Sequence, residues 1–174
     1  ARARIEAGRV KMVPPSRATY VVVGASTGIG LELVRQLVAR GAKVYATVRS
    51  ASAALETVEG EVVVIPGIDV ATDAAGPALA AALRGVAVDG LVCNAGSYDG
   101  GVGPKAASPM QIFGAQKLEA VSTQTMRAAF EVNTLGPLRC VLALLPQLTS
   151  PGGRIAIIST QACAPPRVRG AHAA

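Results

Sequence analysis

The sequence has no tryptophan, two phenylalanines, three tyrosines and a single histidine in 174 residues, and its three cysteines form no C-x-x-C pair. Each shortage excludes something. Aromatic content of 3% leaves few platforms on which nucleic-acid bases could stack. An odd cysteine count without paired spacing builds neither a disulfide framework nor a zinc site, and no metal is expected. Cys93, ending an apolar strand, and Cys140, among helical leucines, read as small buried hydrophobes in a reducing compartment. No run is long and apolar enough to span a bilayer, because Pro137 and Pro146 interrupt the best candidate and Arg139 charges it.

Acidic residues are also scarce, 11 against 17 Lys and Arg, for a formal charge of +6. The excess sits at the two ends. Arg2, Arg4, Arg9, Lys11 and Arg17 face only Glu6 in residues 1–18, and Arg167 and Arg169 lie beyond Gln161. Residues 19–160 are neutral in sum, so no basic stripe marks a nucleic-acid partner. Residues 1–18 read as a disordered basic leader, loosely like an organellar transit peptide, with Met12 as the expected start of translation. A cytoplasmic protein is expected, with organellar import left open by that leader. Residues 161–174 read as an irregular tail, and His172 within it as a solvated side chain.

What remains is apolar, at 51%, and long enough for one domain with a core. Its organising stretch is Thr19 to Val23 followed by Gly24-Ala25-Ser26-Thr27-Gly28-Ile29-Gly30. The continuous β-branched run suits a strand buried on both faces. Gly24 permits a sharp turn, Gly28 lets an anion approach the backbone, and Gly30 lets helix pack on strand. The helix that follows, with Leu33, Val34, Leu37 and Val38 as its apolar stripe and Gly41 as its stop, aims unpaired N–H groups at that anion.

The alternation continues. Lys43 to Val48 reads as a second strand, Ala51 to Val58 as a short helix, and Glu61 to Ile65 as a third strand. Pro77 to Arg84 reads as a helix and Val88 to Cys93 as a fourth strand. Residues 97–120 read as a long surface loop. A helix is expected from Thr123 to Leu145, bent at Gly136-Pro137, with Met126, Phe130, Leu138, Val141, Leu142 and Leu145 on its apolar face. Arg154 to Ile158 completes the set as a fifth strand. Strands alternating with helices imply a doubly wound, parallel α/β sheet of Rossmann type over residues 19–160, with ligand at the strands' carboxyl ends.

Past the second strand, Thr47-Val48-Arg49-Ser50 contains no carboxylate to accept hydrogen bonds from a ribose 2′-hydroxyl. Arg49 offers a planar fork for a 2′-phosphate and Ser50 a hydroxyl, which favours NADP over NAD, against the plainer reading of a solvated arginine. Asp69 serves equally well as a turn former or beside a nucleotide, and Asn94 and Gly96 as a strand-ending turn.

Taken in order, these segments resemble the short-chain dehydrogenase/reductase family over about residues 19–161. Gly24-Ala25-Ser26-Thr27-Gly28-Ile29-Gly30 resembles its cofactor loop, although Val23 stands where the family has threonine. Asp69-Val70 resembles the pair that meets the adenine, and Asn94-Ala95-Gly96 the signature after the fourth strand. Glu131-Val132-Asn133-Thr134-Leu135-Gly136-Pro137-Leu138 resembles the helix that carries the catalytic asparagine, and its wording is nearest to carbonyl-reductase-like members. The resemblance implies NADPH as hydride donor, a small carbonyl or alcohol substrate, and homo-oligomers for a full-length member. It also implies a serine that orients the carbonyl, a tyrosine that gives the proton, a lysine that lowers its pKa, and an asparagine that holds a relay water.

Asn133 matches that asparagine, and Ser159-Thr160 after the fifth strand match the serine position, with Thr160 as the acting hydroxyl and Ser159 its neighbour. Either hydroxyl could equally satisfy a strand-end turn. The Y-x-x-x-K pair is absent, since the last tyrosine is Tyr98 and the last lysine Lys117. The expected sheet is therefore incomplete on its C-terminal side, with the fifth strand at an open edge and apolar surface showing on the long helix. The leading expectation is a truncated NADP-dependent oxidoreductase; the alternatives are a non-catalytic dinucleotide-binding module and a fragment without a stable fold.

Overall fold

A computed structural model describes residues 18–97, 122–148 and 153–159. Five strands form one sheet in the order β3-β2-β1-β4-β5, every pair parallel. They are β1 (Thr19–Val23), β2 (Lys43–Thr47), β3 (Val62–Ile65), β4 (Gly90–Cys93) and β5 (Arg154–Ile157). Helices α1 (Gly28–Ala39), α2 (Ala53–Glu56) and α3 (Ala75–Ala82) connect the first four strands. The last segment before β5 is α4 (Thr123–Phe130), a π-helical turn (Glu131–Leu135) and α5 (Gly136–Leu144). The chain is an α/β protein with a Rossmann-like parallel sheet, as its alternation of strands and helices predicts.

Burial explains the strand sequences. On β1, Val21 and Val23 face one side with Leu79 and Leu83 around α3, Leu91 and Cys93 on β4, and Cys140 and Leu144 on α5. Val22 faces the other, with Val34 and Val38 on α1, Val44 and Ala46 on β2, and Leu55 on α2. Successive residues of β1 are thus buried on opposite faces, which demands the unbroken apolar run seen in the sequence. Truncating one of the fully buried leucines, such as Leu79, would cost about 2–5 kcal/mol. The Cys93 thiol is buried against Cys140, and that hydrogen bond, followed by desolvation, holds it above its ordinary pKa. Both cysteines are free and buried.

Helix α1 ends as expected. Gly41 takes φ 81°, its N–H donates to the Val38 carbonyl at 2.8 Å, and Ala42 N–H reaches back to the Leu37 carbonyl at 3.1 Å. Its buried residues are Gly30, Leu31, Val34 and Val38, so the inward stripe is rotated toward Leu31 and away from Leu33 and Leu37, which are half-buried.

The helix before β5 departs further from expectation. The irregularity precedes Gly136-Pro137, as a π turn at 131–135, and Pro137 opens α5 instead of bending one continuous α-helix. Met126, Phe130, Leu138, Leu142 and Leu145 are exposed, and the buried side is Val132, Gly136, Pro137, Cys140 and Leu144. The segment carries two apolar faces, and the one with smaller residues at Gly136 and Cys140 lies against the sheet because it allows the closer approach. Strand β5 closes the described sheet with Ile155 and Ile157 exposed, as an edge. The expected loop falls almost wholly at 98–121, outside the described residues, as do the leader 1–17, Thr160 and the tail 161–174. No helix of the described residues is long and apolar enough to cross a membrane.

Candidate functional site

Strand β1 lies between β2 and β4, where the order of the sheet reverses, and the chain leaves the two neighbours in opposite directions. Backbone hydrogen bonds fix the exits. Gly24 and Ala25 N–H groups both donate to the Thr47 carbonyl, at 3.2 and 3.0 Å, which hangs the turn after β1 from the end of β2. Asn94 and Ala95 N–H groups donate to the Val23 carbonyl at 3.0 and 2.8 Å, which hangs the turn after β4 from the end of β1. Ile68 N–H donates to the Val48 carbonyl at 3.1 Å, bringing the segment after β3 alongside.

Between these exits lies a crevice of about 310 Å³, lined from the β1 turn by Gly24, Ser26 and Thr27, and from the β2 exit by Val48 and Arg49. Ile68, Asp69 and Val70 form its third-strand side, Asn94, Ala95, Gly96 and Ser97 its fourth-strand side, and Val132 closes it from the π turn. The volume is that of a small-ligand pocket.

The glycines have separate tasks. Gly24 has φ 80°, and a Cβ there would sit 2.7 Å from the Ala95 backbone, so the two turns can meet only without a side chain. A Cβ on Gly30 would strike the Gly24 carbonyl oxygen and the Asn94 amide. Gly28, at φ 58°, faces open space at the start of α1. No side chain caps that helix at Thr27, so the first-turn N–H groups lack both an intrahelical and a capping acceptor. An uncapped helix N-terminus beside open space suits an anion.

The polar residues divide by role. Asn94 Nδ2 donates to the Gly24 carbonyl at 2.8 Å and ties the two turns together. Asp69 Oδ1 accepts from Ala71 N–H at 3.1 Å, shaping its own turn while it lines the crevice. Asn133 stands behind the wall: its Oδ1 accepts from Ser97 N–H at 2.9 Å and its Nδ2 donates to the Ser97 carbonyl at 2.7 Å. Pro137 has no N–H to offer the Asn133 carbonyl, so that carbonyl loses its α-helical donor. Arg49 is an exposed cation at the rim. Ser52, nearby, donates its hydroxyl to the Ser26 carbonyl at 3.1 Å and joins the β2 exit to the glycine turn.

Of the residues singled out from sequence, Gly24, Ser26, Thr27, Arg49, Asp69, Val70, Asn94, Ala95 and Gly96 share this crevice. Gly28, Ile29, Gly30, Ser50, Asn133 and Ser159 do not line it. Ile29 is an exposed side chain on the first turn of α1, and Ser159 is exposed past β5. Val48, Ile68, Ser97 and Val132 were not anticipated. Each stands next to a candidate in the chain, and three are apolar walls with no chemistry of their own to signal them. Among the described residues, no group of His, Cys, Asp and Glu is placed to hold a metal ion.

Comparison with known proteins gives one consistent picture. The sequence model of the family described as short chain dehydrogenase matches residues 18–172. Over 146 residues the chain is 31% identical to 1-hydroxy-2-glutathionyl-2-methyl-3-butene dehydrogenase of Rhodococcus sp. (strain AD45), covering 83% of this chain and 57% of that protein. It is 33% identical to retinol dehydrogenase 8 of Bos taurus, covering 82% of this chain and 44% of that one. The chain thus spans about half the length of these relatives. Among solved structures, it resembles a short-chain dehydrogenase/reductase of Burkholderia multivorans with bound NADP, at a TM-score of 0.68 and 29% identity, covering 83% of this chain and 59% of that one. It also resembles a carbonyl reductase of Pseudomonas aeruginosa PAO1, at 0.67 and 29%, covering 83% and 62%.

Proposed function

The chain belongs to the short chain dehydrogenase family, and on that premise we propose that its crevice holds NADP(H) for interconversion of a small carbonyl compound and its alcohol. The observation that carries the cofactor reading is Arg49 on the crevice rim, with no carboxylate in the Thr47 to Ser50 exit. The residues fit the group. The uncapped start of α1, open at Gly28, suits the pyrophosphate, and Arg49 with Ser50 suits the 2′-phosphate. Asp69 and Val70, with Ile68 and Val48 extending the same wall of the crevice, would meet the adenine. A Burkholderia relative carries bound NADP, which supports the same reading.

When bound, the cofactor supplies the hydride. The protein's part is to fix the ring and the charges around it. Asn133 holds Ser97 by both backbone groups, and its side chain is thereby committed. Its backbone carbonyl, which Pro137 denies an α-helical donor, would be the group to hold a water, and the hydroxyl for a substrate carbonyl would come from Thr160, with Ser159 its neighbour in the sequence. Titration of the purified chain, followed by nicotinamide fluorescence, should show NADPH bound at least about tenfold more tightly than NADH. Absence of binding for both would contradict the proposal.

A further inference from the structure

We infer that Arg139, which does not itself line the crevice, is a positioning residue that sets the width of the nucleotide crevice by strapping two of its walls from behind. The inference rests on the reading of the crevice as the NADP(H) site.

Two walls of the crevice come from segments far apart in sequence: Val70, after β3, and Val132, in the π turn. Among the described residues no backbone hydrogen bond joins Val70 to Val132, and Arg139 on α5 bridges the gap. Its Nη1 donates to the Val70 carbonyl at 3.1 Å and lies 3.5 Å from the Glu131 carbonyl. Its Nη2 donates to Glu131 Oε2 at 2.7 Å and to Asp73 Oδ1 at 2.6 Å, and its Nε donates to the same Asp73 oxygen at 2.9 Å. One guanidinium therefore holds the residues on either side of the Val70–Val132 pair, Asp73 along one segment and Glu131 next to Val132 on the other.

The planar fork is required. A lysine ammonium can donate in three directions but cannot present the parallel N–H groups that reach Asp73 and Glu131 while a further edge meets a carbonyl. The Arg139 side chain is 16% exposed, against 94% for Asp73 and 40% for Glu131, so the Glu131 bond is the better shielded of the two. Those bonds hold the guanidinium pKa above its ordinary value, the Glu131 contribution being the larger.

Packing beneath the strap leaves it little play. A Cβ on Gly136 would lie 3.0 Å from Val70 Cβ and Cγ2, so α5 already touches the back of that wall. Loss of the guanidinium frees the Val70 carbonyl and the 69–73 turn to move relative to the π turn, which widens the crevice at Val70. Every nucleotide that occupies the crevice should feel this, with or without a 2′-phosphate.

The test is a binding series on the full chain, with NADPH and NADH as probes and folded fraction monitored by circular dichroism well below the unfolding transition. Arg139→Met should raise the Kd for NADPH and for NADH by the same factor, about tenfold, at unchanged binding stoichiometry. Arg139→Lys should recover only part of the loss. Glu131→Gln, which leaves the arginine in place, should raise both Kd values by a smaller common factor and keeps the test decisive if Arg139→Met fails to fold. Unchanged Kd values in the folded variants, or reduced stoichiometry at unchanged Kd, would overturn the positioning role while leaving the NADP(H) reading intact. Failure of the unmodified chain to bind either nucleotide would overturn both.

Discussion

Asn133 grips Ser97 at both of its backbone groups, accepting from the N–H at 2.9 Å and donating to the carbonyl at 2.7 Å. The two residues lie 36 positions apart, and the pair locks the turn after β4 to the π turn that closes the crevice. A π turn adds one residue to a helical repeat and is often found where function demands a special side-chain direction.

Asn133→Ala removes both of these hydrogen bonds and should destabilise the chain by only about 1 kcal/mol, because the side chain is exposed. Nucleotide binding should suffer more than stability, since Ser97 lines the crevice. Asn133→Asp keeps the acceptor and loses the donor, so it should retain more binding than an alanine only if the Ser97 N–H bond dominates. Chemical denaturation and NADPH titration on the two variants measure this directly.

Gly30→Ala is the sharpest test of the turn. Its methyl group would collide with the Gly24 carbonyl oxygen and the Asn94 amide, a backbone group and the side chain that ties the two turns. Overpacking of this kind costs about 1–3 kcal/mol. A fall in the denaturation midpoint together with loss of NADPH binding is expected. Gly28→Ala has no such clash, and its cost should come from φ 58° alone.

Cys93 and Cys140, at 3% and 0% exposure, should not react with a thiol reagent at pH 8 while the chain is folded. In a Cys163→Ser background, both should react only at the rate of unfolding. Fast labelling of either would show that β4 and α5 are not packed as described.

The sheet was legible because β1, β2 and β4 are buried on both faces and so had to be written in continuous apolar runs. The glycine turn was legible because Gly24 and Gly30 are forced by close approach, which no other residue permits. The π turn was not, since Glu131 to Leu135 has ordinary helical composition and only the missing N–H of Pro137 hints at an altered hydrogen-bond ladder. The inward face of α5 was hidden because Leu138 and Leu142 are as apolar as Leu144. Hydrophobicity alone cannot say which of two faces meets the sheet when the outer one is left open. The strap at Arg139 was invisible for a similar reason: its partners Asp73, Glu131 and the Val70 carbonyl are brought together only by the fold.

Replacing Arg49 by alanine and measuring Kd for NADPH and NADH side by side tests whether Arg49 selects the 2′-phosphate. The NADPH complex should weaken about tenfold, a loss of roughly 1.4 kcal/mol, with NADH binding unchanged. An equal loss for both nucleotides, or none for either, would contradict that selection.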